Sequence, residues 1–300
     1  MADVIFDDPI AQAPAKPSAV FRGLLHNPAI LFGGTVIAIA LLMALLAPWL
    51  GTIDPTGINP IARNKVPGAE FFFRTDTGER IKMVAWFGTD GLGRDIYSRV
   101  VYGARVSLLV GVAVALISVV CGLFFGLLAG FFRLLDAVIM RIMDGLMAIP
   151  AILLAIAMVS LFRSSVWTVI IAITVPQVPG VVRLVRSIVL SVREEPYVEA
   201  AVTLGTSTPK LLWRHVLPNT IAPMIVQGTF ICASAILIEA ILSFLGIGVP
   251  PEVPTWGNIM AEGREVFSLF PHNIIYPGVF LAMTILSVNV LGDGLRDTLD

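Results

Sequence analysis

The chain has 300 residues, of which 57% are apolar and only 14% charged, with a mean hydropathy of +0.89 and a net charge of −1. Soluble domains carry about a quarter charged residues, and a chain this apolar could not cover its surface in water, so an ordinary soluble globule is excluded and lipid is the expected solvent. The charge balance leaves no basic footprint for nucleic acid. Cys121 and Cys232 both fall in apolar runs and provide neither a disulfide framework nor a metal site.

Residues 1–27 are acidic and Ala/Pro-rich at the start, and the apolar run begins only near Ala29. This segment reads as a disordered cytoplasmic tail rather than a cleavable signal. A bilayer core of about 30 Å needs about 20 apolar residues in a helix. Six segments qualify: Ala29–Leu50, Val106–Phe132, Ala137–Leu161, Val166–Leu190, Thr220–Leu242 and Ile274–Leu291. Lipid cannot satisfy an open backbone, so runs of this length predict an all-α polytopic membrane protein with six transmembrane helices. In the third run, Arg141 and Asp144 sit at helical spacing near the start, where they can pair with each other at the water boundary. The organisation expected is a first transmembrane helix over 28–50, an external loop over 51–104, a five-helix unit over 105–293 and a cytoplasmic C-terminus over 294–300.

The external loop should be partly folded. Phe71–Arg74 and Ile81–Val84 flank a turn containing Gly78, which predicts a small β-hairpin. The segment 69–86 has the character of a variable insertion with no role readable from its residues. Next comes the turn-rich stretch Phe87–Asp95, then Ile96–Gly103, expected as a short interfacial helix with Tyr97 and Tyr102 at headgroup level. A phosphate site there lacks the P-loop pattern and the strand–loop–helix context it would need.

Within the spans, Gly122, Gly126 and Gly130 recur every four residues, the spacing of a close helix-packing seam. In the fourth span Pro176-Gln177-Val178-Pro179-Gly180 interrupts the apolar run. Each proline removes a backbone donor, so a kink or an unwound stretch is expected. Gln177 and Pro179 are then candidates to line an aqueous path, the alternative being a packed kink in which Gln177 bonds a neighbouring helix. Glu239, near the outer end of the fifth span, is a further pathway candidate in reach of water. No His, Cys and acid cluster has metal-ligand spacing.

Between the fourth and fifth spans lies a polar island, Ser191–Asn219. Glu194-Glu195-Pro196-Tyr197 opens a helix, with acids and proline favoured in its first turn. Gly205 is placed to end it in the left-handed conformation. Thr208-Pro209 then starts a second helix, with Thr208 as cap, and Pro218 ends the island before the next span. Two short helices with apolar side chains on view have the form of something that docks in a groove. Orientation from charge is divided: the loop Gly51–Ala104 carries seven Lys/Arg against Lys16 and Arg22 in the tail, but long loops cross with little regard to charge. Arg133, Arg141, Arg183, Arg186, Arg193, Lys210, Arg214 and Arg296 fall on one common side, so both termini and the island are expected in the cytoplasm.

Glu199-Ala200-Ala201, Gly205 and Leu217-Pro218 match the EAA-x3-G-x9-I-x-L-P signature of permease subunits of bacterial ABC importers, with His215 in place of the isoleucine. FGTDGLGRDIYSRVVYGARVSL (Phe87–Leu108), LSFLGIGVPPEVPTWG (Leu242–Gly257) and the C-terminal GDGLRDTLD resemble the dipeptide/oligopeptide permeases of the C type (DppC/OppC-like). The resemblance covers nearly the whole chain and implies a type I ABC transmembrane domain in the inner membrane. It implies as partners a second homologous permease, two cytoplasmic ATPase subunits and an external solute-binding protein. Glu199, Ala200, Ala201, Gly205, Leu217 and Pro218 would form the ATPase-coupling loop. No cofactor or metal would be bound and no reaction catalysed by this chain, since ATP and Mg would be used by the ATPases. The cargo implied is a di- or oligopeptide, with nickel, glutathione or another small solute as alternatives. A stand-alone ion-coupled transporter working through Glu239 or the Gln177 break, or an intramembrane enzyme, would leave the docking island unexplained.

Overall fold

Long apolar runs in a medium without hydrogen-bonding solvent must close their own backbone bonds, and the chain does so as helices. A computed structural model describes residues 26–74 and 80–299. In chain order its elements are α1 (Pro28–Leu45), strands β1 (Ala69–Arg74) and β2 (Arg80–Ala85), α2 (Ile96–Phe131), α3 (Arg133–Met147), α4 (Ala151–Leu161) and α5 (Val166–Arg193). There follow α6 (Pro196–Thr203), α7 (Thr208–Leu211), α8 (Leu217–Phe244), α9 (Trp256–Gly263) and α10 (His272–Leu299). Among the described residues, five helical stretches are long and apolar enough to cross a membrane, and α3 with α4 make a sixth candidate as a broken pair.

The expected boundaries differ from these in places, each for a physical reason. The short interfacial helix is absent as a separate element: Ile96–Phe131 is one helix of 36 residues, about 54 Å long at 1.5 Å per residue. Its first turns do not lie flat in headgroups because Ile96, Val100 and Ala104 are packed against Trp256 and Ile259 of α9. The third span is not one straight helix. Pro150 starts a new helix after an 87° bend between α3 and α4, as a residue with no N–H and a fixed φ favours. Arg141 and Asp144 do not pair; Asp144 instead accepts from Arg183 of α5 at 2.6 Å. The unwinding envisaged at Pro176 and Pro179 does not occur either, for both lie inside the continuous α5. The hairpin forms, with Phe71 opposite Met83 and Phe73 opposite Ile81, and Phe71, Phe73, Ala62 and Ala85 make its small core. Its turn, with Gly78, lies outside the described residues, as do the tail residues before His26.

Packing follows two seams of small residues. Along the first, a Cβ placed on Gly122, Gly126 and Gly130 of α2 would lie 2.3, 2.5 and 2.6 Å from side-chain atoms of Val181, Val185 and Val189 of α5. Glycine every four residues thus faces valine every four residues, and the two backbones meet where any larger residue would hold them apart. The second seam joins α1 to α10: Gly33 abuts Ser287 and Leu291, and Gly294 abuts Ile30. Asn27 both caps α1, accepting from the Ala29 amide at 2.9 Å, and donates to the Gly294 carbonyl at 3.2 Å.

Outside the helices, the loop 51–95 is fastened by charge. Asp90 Oδ2 accepts from Arg94 Nε and Arg99 Nη1, each at 2.7 Å, and both arginines also bind Glu262 of α9. Two acids and two bases close a neutral ring in which the Arg99 side chain is 1% exposed. Beside it, Asp95 caps α2 by accepting from the Ser98 amide at 2.8 Å. Burial pushes the Asp95 carboxyl above its usual range, against the opposing pull of the Ser98 hydrogen bonds.

The seam and the ring each carry a test. Gly126→Leu must push α2 off α5 and should destabilise the chain by about 1–3 kcal/mol, read as a lower unfolding midpoint in detergent. Gly180→Ala, at a site with no neighbour within 4 Å, should leave the midpoint unchanged or raise it. Asp90→Ala leaves two buried arginines on one acid and should cost about 3–5 kcal/mol, read in the same melt.

Candidate functional site

The polar island folds as a lever-shaped projection. Pro196 sits in the first turn of α6 with Glu199 one turn on, where an acid faces the positive end of the helix. Val198 and Ala201 are buried and join Leu211, Val216 and Val192 in the main apolar core. One face of α6 therefore holds the projection to the bundle, and Glu199 and Ala200 look outward. The helix stops at Gly205, whose φ of +77° is in the left-handed region that other residues enter at a cost. The Thr206 amide donates to the Ala201 carbonyl at 3.0 Å and the Gly205 amide to the Val202 carbonyl at 2.9 Å. This pair of bonds closes the helix end in a Schellman motif.

The second arm differs from expectation. Its cap is Ser207, so that Pro209 is the second helical residue, and the helix does not end at Pro218. It runs on from Thr208 to Phe244 as one span, through a wider π-helical turn at Leu212–Val216. Pro218 has no N–H to give and its ring crowds the carbonyl four residues back; the widened turn ahead of it absorbs that crowding without breaking the helix. Leu217 is half-buried and Pro218 exposed. Asn219 ties the two arms together, donating to the Tyr197 hydroxyl at 3.1 Å and to the His215 carbonyl at 2.6 Å. The projection leaves large apolar side chains uncovered: Leu204 is 86% and Trp213 76% exposed, and Tyr197 and Val202 are exposed too. Glu194, Glu195, Lys210 and Arg214 of the same segment are exposed as well.

The other singled-out residues are scattered through the bundle and do not converge with the projection. Gln177 is half-buried and donates to Ser234 Oγ of α8 at 3.1 Å, and Pro179 is buried. Gln177 therefore bonds a neighbouring helix, and the backbone around it stays within the continuous α5. Glu239, expected within reach of water, is 0% exposed. Ser243 Oγ donates to Glu239 Oε1 at 2.8 Å, and Ser107 Oγ lies 3.4 Å from Oε2. Ser107 also meets the Trp256 amide, whose indole N–H reaches the Val100 carbonyl at 3.1 Å. Gly248 and Gly257 press directly on Ser243, so the node is closed and joins α2, α8 and the segment leading to α9. Cys121 and Cys232 are half-buried free thiols.

Sequence reading missed Glu262, whose two arginine partners lie more than 160 positions away. It also missed Asp136, which Arg186 of α5 grips with two nitrogens. Arg183 and Arg186, three apart in a span, were the signal available: charges inside such a run require partners.

Known proteins bear on the chain as follows. The profile of the binding-protein-dependent transport system inner membrane components matches residues 96–300, and that of the N-terminal transmembrane domain of oligopeptide transport permease C matches residues 18–67. A probable peptide ABC transporter permease protein of Sinorhizobium fredii is 49% identical over 94% of this chain and 91% of its own. The dipeptide transport system permease protein DppC of Alkalihalophilus pseudofirmus is 39% identical over 93% of this chain and 88% of its own. The oligopeptide transport system permease protein OppC of Bacillus subtilis is 35% identical over 91% of this chain and 86% of its own. With its bundle of membrane-length helices and a match that runs from α2 to the C-terminus, the chain belongs to the binding-protein-dependent transport system inner membrane components and is a transport permease subunit.

Proposed function

We infer that the chain is one of two pore-forming permeases of an ATP-driven importer in the inner membrane, with a second, homologous permease beside it. Two cytoplasmic ATPase subunits would drive it with ATP and Mg, and an external solute-binding protein would deliver a di- or oligopeptide. The chain itself would bind no cofactor and catalyse no reaction. The observation that carries this reading is the projection hinged at Gly205, an apolar-tipped docking element built on the two helices α5 and α8 that flank it. The peptide cargo rests on the names of the relatives, which are peptide, dipeptide and oligopeptide permeases.

In this reading both termini and the projection face the cytoplasm, and the loop over 51–104 with its hairpin faces outward. Glu199, Ala200, Ala201 and Gly205, with Leu217 and Pro218 at the root of the second arm, form the coupling loop within a transporter domain spanning 105–293. Closure of the ATPases would push the projection, whose second arm runs into α8 as one span while the turn at Glu194 and Glu195 joins its first arm to α5, and the spans would move with it. Outward opening would receive the peptide and hydrolysis would reset the bundle.

Two experiments test this. Reconstituted in proteoliposomes with its partner subunits and binding protein, the chain should support peptide uptake that requires ATP; uptake by the chain alone under an ion gradient would overturn the reading. Glu199→Lys places a cation in the first turn of α6 facing the docking surface. It should leave insertion and the melting midpoint within about 0.5 kcal/mol of the parent while reducing ATPase co-purification and abolishing uptake. A variant that transports normally would remove Glu199 from the contact.

A further inference from the structure

We propose that Arg186 and Asp136 are positioning residues that form a transmission clamp carrying the movement of the docking projection into α3, with Arg193 and the Arg183–Asp144 pair as its flanking holds. This rests on the importer reading above, since it concerns how the projection's movement spreads.

The starting observation is how little else holds α3. Of its fifteen residues only Ile139 and Met143 are buried, meeting Ala129 and Val182 in a small cluster. Leu134, Val138 and Ile142 point away from the bundle and are exposed. At its far end the chain turns through 87° into α4, so α4 does not extend α3 as a rigid rod. Apolar contact of this size guides α3 but grips it weakly.

The grip is ionic and runs along one face of α5. Arg186 presents Nε and Nη2 to the two carboxylate oxygens of Asp136, the second bond at 2.7 Å. This paired geometry fixes direction as well as distance. Arg183, one turn back on α5, donates to Asp144, two turns on in α3, at 2.6 Å. The order is antiparallel, as two helices running in opposite directions require. One further contact closes the arrangement. Arg193, the last residue of α5, donates to the Gly130 and Phe131 carbonyls at 3.0 and 3.2 Å, with its guanidinium over the Phe131 ring. It thereby binds the corner where α2 becomes α3, three residues before α6 begins.

The three arginines do not contribute equally. Arg183 and Asp144 are each about half exposed, while Arg186 and Asp136 are only partly so. Water competes least for the inner pair, and the two-pronged bond there resists shear. A push on the projection reaches α2 through the glycine–valine seam and reaches α3 through Arg186.

The experiment uses the whole reconstituted complex and reads peptide taken up per ATP hydrolysed, a ratio that a loss of stability alone would not change. Asp136→Asn and Arg186→Gln should each lower that ratio by about tenfold while the complex still assembles and hydrolyses ATP. Asp144→Asn, on the exposed pair, should change it less than about twofold. The double exchange Asp136→Arg with Arg186→Asp restores a pair and should recover most of the ratio. Singles with the parental ratio, or an exchange as uncoupled as the singles, would overturn the clamp. If a single variant fails to assemble, Arg186→Lys keeps the charge but loses the second bond, and must lower the same ratio for the clamp to stand. Parental complex without ATP-linked uptake would instead overturn the importer reading.

Discussion

The close approach of α2 and α5 is the contact on which the rest of the molecule depends. In lipid, helices gain little from hiding apolar surface from one another, because the surrounding tails are as apolar as their side chains. What remains is dispersion at short range, and three glycines against three valines bring the backbones near enough to use it. The consequence is geometric. The N-terminal end of α2 carries the cap fastened by Asp90, Arg94, Arg99 and Glu262, while the C-terminal end of α5 leads into the projection. One rigid helix pair therefore connects the two faces of the protein.

Several polar groups inside this apolar frame find a partner on another element, while others, such as Thr174 and Ser287, bond a carbonyl of their own helix. Gln177 reaches Ser234, Glu239 gathers serines from two helices, and Asn258 Nδ2 meets the carbonyls of Val249, Pro250 and Val253. Leaving such groups unpaired in a medium of low dielectric would cost several kcal/mol, on the order of the net stability of a domain. These bonds therefore specify which helices adjoin and in what register, where apolar contact alone would tolerate sliding. The segment 246–255 depends on this most, since it has no regular structure of its own and is held by Asn258, Trp256 and the glycines that abut Ser243.

The projection, by contrast, leaves Leu204 and Trp213 uncovered. Its stability comes from below, through Val198, Ala201, Leu211 and Val216, and from the closed hydrogen bonding at Gly205. In the proposed docking role, a projection that is already folded would avoid most of the ordering cost on binding. Its connection to α8 through a π turn keeps the arm stiff in spite of Pro218.

The chain's own sequence was enough to determine the class, the places of the membrane-length apolar runs, the position of the hairpin and the two-armed projection with its turn at Gly205. These follow from local causes: run length against bilayer thickness, alternation between two turns, and residue types that favour helix ends. Other features could be decided only by tertiary structure. Ile96–Gly103 is the start of a long helix because α9 packs on it, which no local pattern announces. Pro176 and Pro179 remain within α5, where Gln177 between them bonds Ser234 of α8, whereas Pro150 stands as the cap of a new helix after a bend. Asp144 has a helical neighbour in Arg141, yet it turns to Arg183, and Glu239 lies shut away because α2 and the segment before α9 close over it. In each case the outcome depends on a partner distant in the chain, and an ionic or packing preference with several local solutions is resolved only when the helices are brought together.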